Sequence, residues 1–129
     1  MVRSTAGRAV GRARPHHNHQ PIDMVHLARQ TMGDPGLQSE VLRLFDQMSH
    51  VYFRRLETSS TMEDLLRNLH TLKGAAAGIG ARSIAELARV TEEELRAGGP
   101  VNPERIDDLG MAVQECSAFI GGLLEHEAA

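Results

Sequence analysis

The chain has 129 residues, 41% of them hydrophobic and 24% charged, with a formal net charge of −3. That size and balance fit one domain able to bury its own core without metal or disulfide. Aromatic residues make up 3% with no Trp, which argues against a base-stacking platform for single-stranded nucleic acid. The one cysteine, Cys116, excludes an intramolecular disulfide and a CxxC metal pair. No apolar run approaches the ~20 residues of a membrane span, and the N-terminus lacks the apolar core, about 7–15 residues long, of a signal peptide. A reducing, cytoplasmic setting is expected.

The charge is unevenly spread. Arg3, Arg8, Arg12 and Arg14 stand in residues 1–20 without a single acid, while residues 21–129 hold 10 basic and 17 acidic residues, a net of −7. An acidic domain is a poor general ligand for nucleic acid. Residues 1–20 show no helical or strand period and read as a disordered basic tail. Its His16, His17 and His19 can hold a metal loosely, but a solvated polar tail is the plainer reading.

From Pro21 onward the pattern is helical. Asp23 caps a short helix to about Met32, with Met24, Leu27 and Ala28 on one side, and "GDPG" at Gly33–Gly36 reads as a turn. A second helix is expected from about Leu37 to Glu57, its inner stripe formed by Leu37, Val41, Leu44, Phe45, Met48, Tyr52 and Leu56. After "TSST", Thr61 and Asp64 resemble a capping box that opens a third helix, Met62 to about Ile79. The fourth, about Ser83 to Ala97, has Ser83 and Glu86 as its capping box, with Ile84, Leu87, Ala88, Thr91 and Leu95 inward. "GGP" at Gly98–Pro100 stops it. Asn102 then caps a fifth helix with Pro103 in its first turn and Ile106, Leu109, Val113, Cys116, Ile120 and Leu123 as its stripe. No segment reads as a strand. The fold class expected is all-α: an antiparallel four-helix bundle over residues 21–129 with a short additional N-terminal helix packed on one end.

The third helix carries an anomaly. Met62, Leu65, Leu69, Leu72, Ala76 and Ile79 make its core stripe, and His70 lies about 130° from the centre of that stripe. Beside His70 on the outer face stand Lys73, Gly74 and Ala77, where Glu, Lys, Gln or Arg would be usual. Glycine inside a helix is about 1 kcal/mol worse than alanine. A bare face around an imidazole, with a cation one turn away, suits presentation of a nitrogen nucleophile to an anionic electrophile. Tight helix packing is the competing explanation for the small residues, and it fits Ala76 better than Gly74 or Ala77.

"HTLKGAAAGIGA", His70 to Ala81, resembles the phosphoacceptor signature of the histidine-containing phosphotransfer (HPt) domain family: histidine, any residue, apolar, lysine, glycine, two small, two variable, apolar, glycine. His70, Leu72, Lys73, Gly74, Ala75, Ala76, Ile79 and Gly80 all match, and the surrounding helix layout fits across about residues 22–126. The resemblance implies a phosphorelay intermediate. His70 accepts a phosphoryl group through Nε2 from a receiver-domain aspartate, or from a hybrid kinase, and passes it to another receiver. Lys73 steadies the phosphoryl oxygens and Gly74 leaves room for the partner. Where some members carry a glutamine that bonds the imidazole, this chain has Glu92, either an orienter of the ring or a solvated residue in the acidic run Glu92–Glu94.

The resemblance implies no enzyme, cofactor or metal of the chain's own. Response-regulator receivers, which bring their Mg²⁺, and a histidine kinase are the implied partners; nucleic acid and membrane are not, and a monomer is expected. No GxxxxGK(S/T) nucleotide loop is present. Two alternatives stay open: a non-catalytic helical module that docks and regulates a receiver or kinase, and a metal site using His50, His70 or the tail histidines. The second lacks HxxxH or HExxH spacing around His70. His26, His50 and His126 otherwise read as surface or helix-end residues.

Overall fold

Side chains that can accept from the first free backbone amides decide where most of the helices begin. Asp23 Oδ1 accepts from the amides of Val25 and His26, both at 3.1 Å, and Asp34 Oδ1 from that of Leu37 at 3.1 Å. Thr61 Oγ1 accepts from Asp64 N at 3.0 Å, and Asn102 Oδ1 from Glu104 N at 2.9 Å. Each satisfies a donor the helix itself leaves unpaired. The computed structural model describes residues 20–128 and contains α1 (Met24–Gln30), α2 (Pro35–Glu57), α3 (Met62–Ile79), α4 (Arg82–Arg96) and α5 (Pro103–Ala128). Among the described residues there is no strand. Apart from Gln20, the basic tail expected over residues 1–20, with His16, His17 and His19, lies outside the described residues.

Consecutive helices pack together from α2 to α5, and α5 packs back against α2, closing a four-helix bundle. The core runs along its axis. Leu69, Leu72 and Ala76 of α3 meet Ile84 and Ala88 of α4, Leu109, Val113, Cys116 and Ile120 of α5, and Leu42 and Phe45 of α2, all buried. The short α1 is fixed to the α3–α4 corner. Asp23 N–H donates to Gly80 O at 2.9 Å, His26 Nε2 donates to Gly78 O at 2.9 Å, and the Asp23 carboxylate pairs with Arg82. His26 is thus a tie between elements rather than an ordinary surface residue.

The corner itself is made by Gly80. Its φ of +89° lies in the left-handed region that favours glycine. Ala81 N–H reaches back to Ala76 O at 2.8 Å and Gly80 N–H to Ala77 O at 3.3 Å, a Schellman closure of α3. The turn is so tight that α4 starts at Arg82, one residue before the expected Ser83. Its N-cap is the fully buried Ala81, which offers no side-chain bond. The expected Ser83–Glu86 capping box does not form, and Glu86 instead bonds Arg89.

Two further expectations are corrected. "GDPG" is not wholly a turn. Asp34 is the cap of α2, with Pro35 and Gly36 already inside the helix. Within α2 the inner face differs from the expected stripe. Leu42, Phe45 and Leu56 are buried together with Ser39 and Ser49, whereas Leu37, Leu44 and Met48 are exposed. The helix is apolar over two neighbouring arcs, and closure of the bundle selects the one carrying the serines. Ser39 and Ser49 tolerate burial because each hydroxyl donates to a carbonyl of its own helix. Met62, expected in the α3 stripe, is exposed at the helix start, and Leu87 packs at the edge of the core rather than within it.

Candidate functional site

The site is built where the outer edge of α3 meets α4. Leu69, Leu72, Ala76 and Ile79 anchor α3 in the core, which forces His70, Lys73, Gly74 and Ala77 outward. The His70 side chain is 66% exposed. On α4, the core residues Ala88, Thr91 and Leu95 set the helix rotation so that Glu92 points back toward α3. Its side chain is 5% exposed, while Glu93 in the same acidic run is exposed and Glu94 half-buried.

A buried carboxylate needs partners, and Glu92 has three. Lys73 Nζ donates to Oε1 at 2.8 Å. Arg96 donates to Oε2 from Nε at 3.1 Å and from Nη2 at 3.0 Å. His70 Nδ1 lies 3.2 Å from the same Oε2. Burial opposes the charged form of Glu92, but the hydrogen bonds from Lys73 and Arg96, with a smaller contribution from His70, outweigh it and hold the carboxyl below its ordinary value. Glu92 is therefore ionised at neutral pH and can only accept. Nδ1 of His70 thus carries a hydrogen, and in the neutral ring the lone pair is on Nε2.

The outer face beside His70 is clear. Gly74 is exposed, and a Cβ there would meet nothing within 4 Å, so no internal packing demands glycine at this point. On the α4 side an open groove of about 630 Å³ is lined by Lys73, Gly74, Ala77, Arg82, Ala85 and Arg89. On the α2 side a second, of about 360 Å³, is lined by Leu37, Val41, Leu44, Met48, Ala75 and Gly78. Small residues of α3 thus form a floor between an apolar bank and a polar one of paired charges, where Arg82 meets Asp23 and Arg89 meets Glu86.

The Hpt domain family model matches residues 37–119, a span that contains the whole of α3 and α4 and every residue of this site. The chain belongs to the Hpt domain family. That membership places it in histidine phosphotransfer within two-component signalling, whose partners are receivers and kinases. Among solved structures the Hpt chain is similar to histidine phosphotransferase ShpA from Caulobacter crescentus, with a TM-score of 0.64 at 25% identity, covering 84% of this chain and 94% of that one. Comparison with curated protein sequences gives no match.

Of the residues singled out in the sequence, His70, Lys73 and Glu92 are brought into one hydrogen-bonded cluster, and Gly74 borders it. Arg96 is the member that sequence reasoning missed. Its signal was the Glu92–Arg96 spacing of four on one helix, a favourable ion-pair register. Among the described residues no group of three or more His, Cys, Asp or Glu side chains is placed to hold a metal, and His50 instead bonds Ser117 Oγ at 3.0 Å. Among the described residues no helix is long and apolar enough to cross a membrane.

Proposed function

We propose that this chain is a phosphorelay intermediate acting in the cytoplasm, with His70 as the phosphoacceptor. It takes the group from a receiver aspartate or a hybrid kinase and passes it to another receiver. The observation that carries this reading is the contact between His70 Nδ1 and the ionised Glu92, which leaves the Nε2 lone pair on an exposed ring.

In the forward step the Nε2 lone pair attacks the phosphorus of the receiver's aspartyl phosphate. The N–P bond forms as the P–O bond breaks, and the aspartate carboxylate leaves with the electron pair. The ring keeps its Nδ1–H and becomes cationic, a charge that Glu92 neutralises at 3.2 Å. In the onward step a carboxylate oxygen of the next receiver's aspartate attacks the phosphorus. A P–O bond forms as the N–P bond breaks, and the N–P electron pair returns to Nε2 to release a neutral imidazole. Retaining the Nδ1 proton keeps that leaving group good, so one carboxylate serves both directions. Lys73 stabilises the phosphoryl oxygens as a point charge.

Phosphoryl transfer rests on positioning and charge neutralisation, so the chain needs no nucleotide site or metal of its own, and the receiver brings its Mg²⁺. It acts as a phosphocarrier rather than an enzyme, and as a monomer. The floor of Gly74, Ala77 and Gly78 admits a receiver close to His70, with exposed Leu44 and Met48 of α2 beside it. A purely regulatory docking module has no use for a carboxylate that holds one ring nitrogen.

The test is incubation with a phosphorylated receiver or an active hybrid kinase. The wild-type chain acquires acid-labile, alkali-stable label. Equal labelling of His70→Gln would overturn the assignment.

A further inference from the structure

The two oxygens of Glu92 divide their partners. Oε1 is held by Lys73, at 2.8 Å. Oε2 receives both the His70 ring and the guanidinium of Arg96, which contributes two nitrogens at 3.0 and 3.1 Å. We infer that Arg96 is a positioning residue: it anchors Glu92 through Oε2, so that Lys73 can leave Oε1 for the phosphoryl group without releasing the His70 ring. This rests on the reading of His70 as the phosphoacceptor.

The need for such an anchor follows from the charges. An arriving phosphoryl group competes with Glu92 for Lys73, and the more highly charged anion draws the ammonium. Lys73 is 30% exposed and sits on a flexible four-carbon stem, which lets it turn. Its departure strips a deeply buried carboxylate of one of its two cations, and a buried charge that loses its partners is costly. Without a second cation Glu92 would follow the ammonium or relinquish its charge, and the Nδ1 proton would lose its acceptor at the moment the ring becomes cationic.

Arg96 is suited to remain in place. It stands four residues after Glu92, in the last turn of α4, where a cation also meets the negative end of the helix dipole. Its planar fork places two N–H groups on one oxygen, and that oxygen is the one bonded to His70. Lys73 is on the other helix and on the other oxygen. Exchange of Lys73 thus leaves the Arg96–Glu92–His70 chain intact.

The test reads the His70 tautomer by nitrogen-15 NMR on the full, unphosphorylated chain at neutral pH. Wild type shows the Nδ1–H form, and Lys73→Ala, which imitates the departure of the lysine, keeps it. In the Lys73→Ala background, Arg96→Met shifts the tautomer ratio toward Nε2–H by roughly tenfold, the loss expected for a charge-assisted contact. The double variant leaves the buried Glu92 with neither cation, so its folding is verified first by circular dichroism. Arg96→Gln, which removes the charge but keeps a donor, is the second variant if the methionine form does not fold, and the same shift is expected of it. An unchanged ratio in the double variant overturns the inference, as does complete release of the ring by Lys73→Ala alone. The readout needs no phosphoryl transfer. A failure of His70 to take label would therefore sink the proposed function and leave the tautomer result intact.

Discussion

His70 Nδ1 and Glu92 Oε2 stand 3.2 Å apart across the α3–α4 interface, pairing an exposed ring with a carboxylate that is buried and ionised. The contact favours one tautomer without covering Nε2. It has a requirement. With His70 as the proposed phosphoacceptor, a carboxylate beside it repels the incoming anion unless its own charge is already matched, and Lys73 and Arg96 supply that match. Glutamate at position 92 is thus tolerable because of Arg96.

Glu92→Gln keeps an acceptor for Nδ1 and removes the charge that balances the cationic ring. Transfer to and from His70 is expected to slow by roughly 10- to 100-fold, the range of a charge-assisted hydrogen bond, as measured in a single-turnover assay with a phosphorylated receiver. Stability shifts too. A carboxyl whose folded value is depressed stabilises the fold above its unfolded value, and that contribution fades as pH falls through the folded one. Urea unfolding should therefore show wild type more stable than Glu92→Gln at pH 7 and the gap closing below about pH 4, under the ordinary glutamate value. A gap that grows on acidification would contradict an ionised, partnered Glu92.

How much of this was legible in the sequence depends on whether an interaction is local. The face of α3 that carries His70, Lys73 and Gly74 follows from spacing within one helix, and Asn102–Pro103 marks the start of α5 unaided. The arcs of α2 were not separable, because Leu37, Val41 and Leu44 are as apolar as Leu42, Phe45 and Leu56, and the choice is made by contact with α3 and α5. Glu92 stands in a run of three acids, each with an arginine in reach: Arg96 for Glu92, Arg89 for Glu93, Arg105 for Glu94. Which one is buried depends on the rotation of α4 against α3. That rotation is set by the burial of Ala88, Thr91 and Leu95, and the Gly80 turn that leads into α4 ends on a buried Ala81 cap with no side-chain signature.

Gly74 separates stability from function. A Cβ there meets nothing within 4 Å and sits in a helix interior, so Gly74→Ala should stabilise the chain by up to about 1 kcal/mol. Gly74→Gln should be at least as stable as wild type in urea yet transfer more slowly, by roughly 10- to 100-fold if a receiver is displaced by about an ångström. Wild-type transfer by Gly74→Gln would show that the bare surface is not a docking clearance.

Cys116 tests the packing of α5 from inside. Burial pushes its thiol up to about 12, with the nearby Asp46 carboxylate adding to the shift. Since the thiolate is the reactive form, it is scarcer at pH 8 by roughly a thousandfold than in an unperturbed cysteine. A chromogenic disulfide reagent should modify the native chain very slowly and the urea-unfolded chain at once. Rapid modification of native protein would mean that the α5 stripe is not buried as described.

Gly80 is the position where glycine is required by the backbone. Its φ of +89° costs an L-residue roughly 1–2 kcal/mol. An added Cβ would also lie 3.2 Å from both Asp23 O and His26 Cδ2, the two residues that fasten α1 to the corner. Gly80→Ala should therefore lower stability by about 2 kcal/mol or more in urea unfolding. The loss should be concentrated in α1, whose amides exchange faster with deuterium while those of α3 around Leu69 stay protected. His70 lies ten residues earlier, held by Leu69 and Leu72, so its tautomer should survive the change. Unaltered exchange in α1 would show that the corner tolerates a side chain and that the Asp23 and His26 contacts do not depend on glycine.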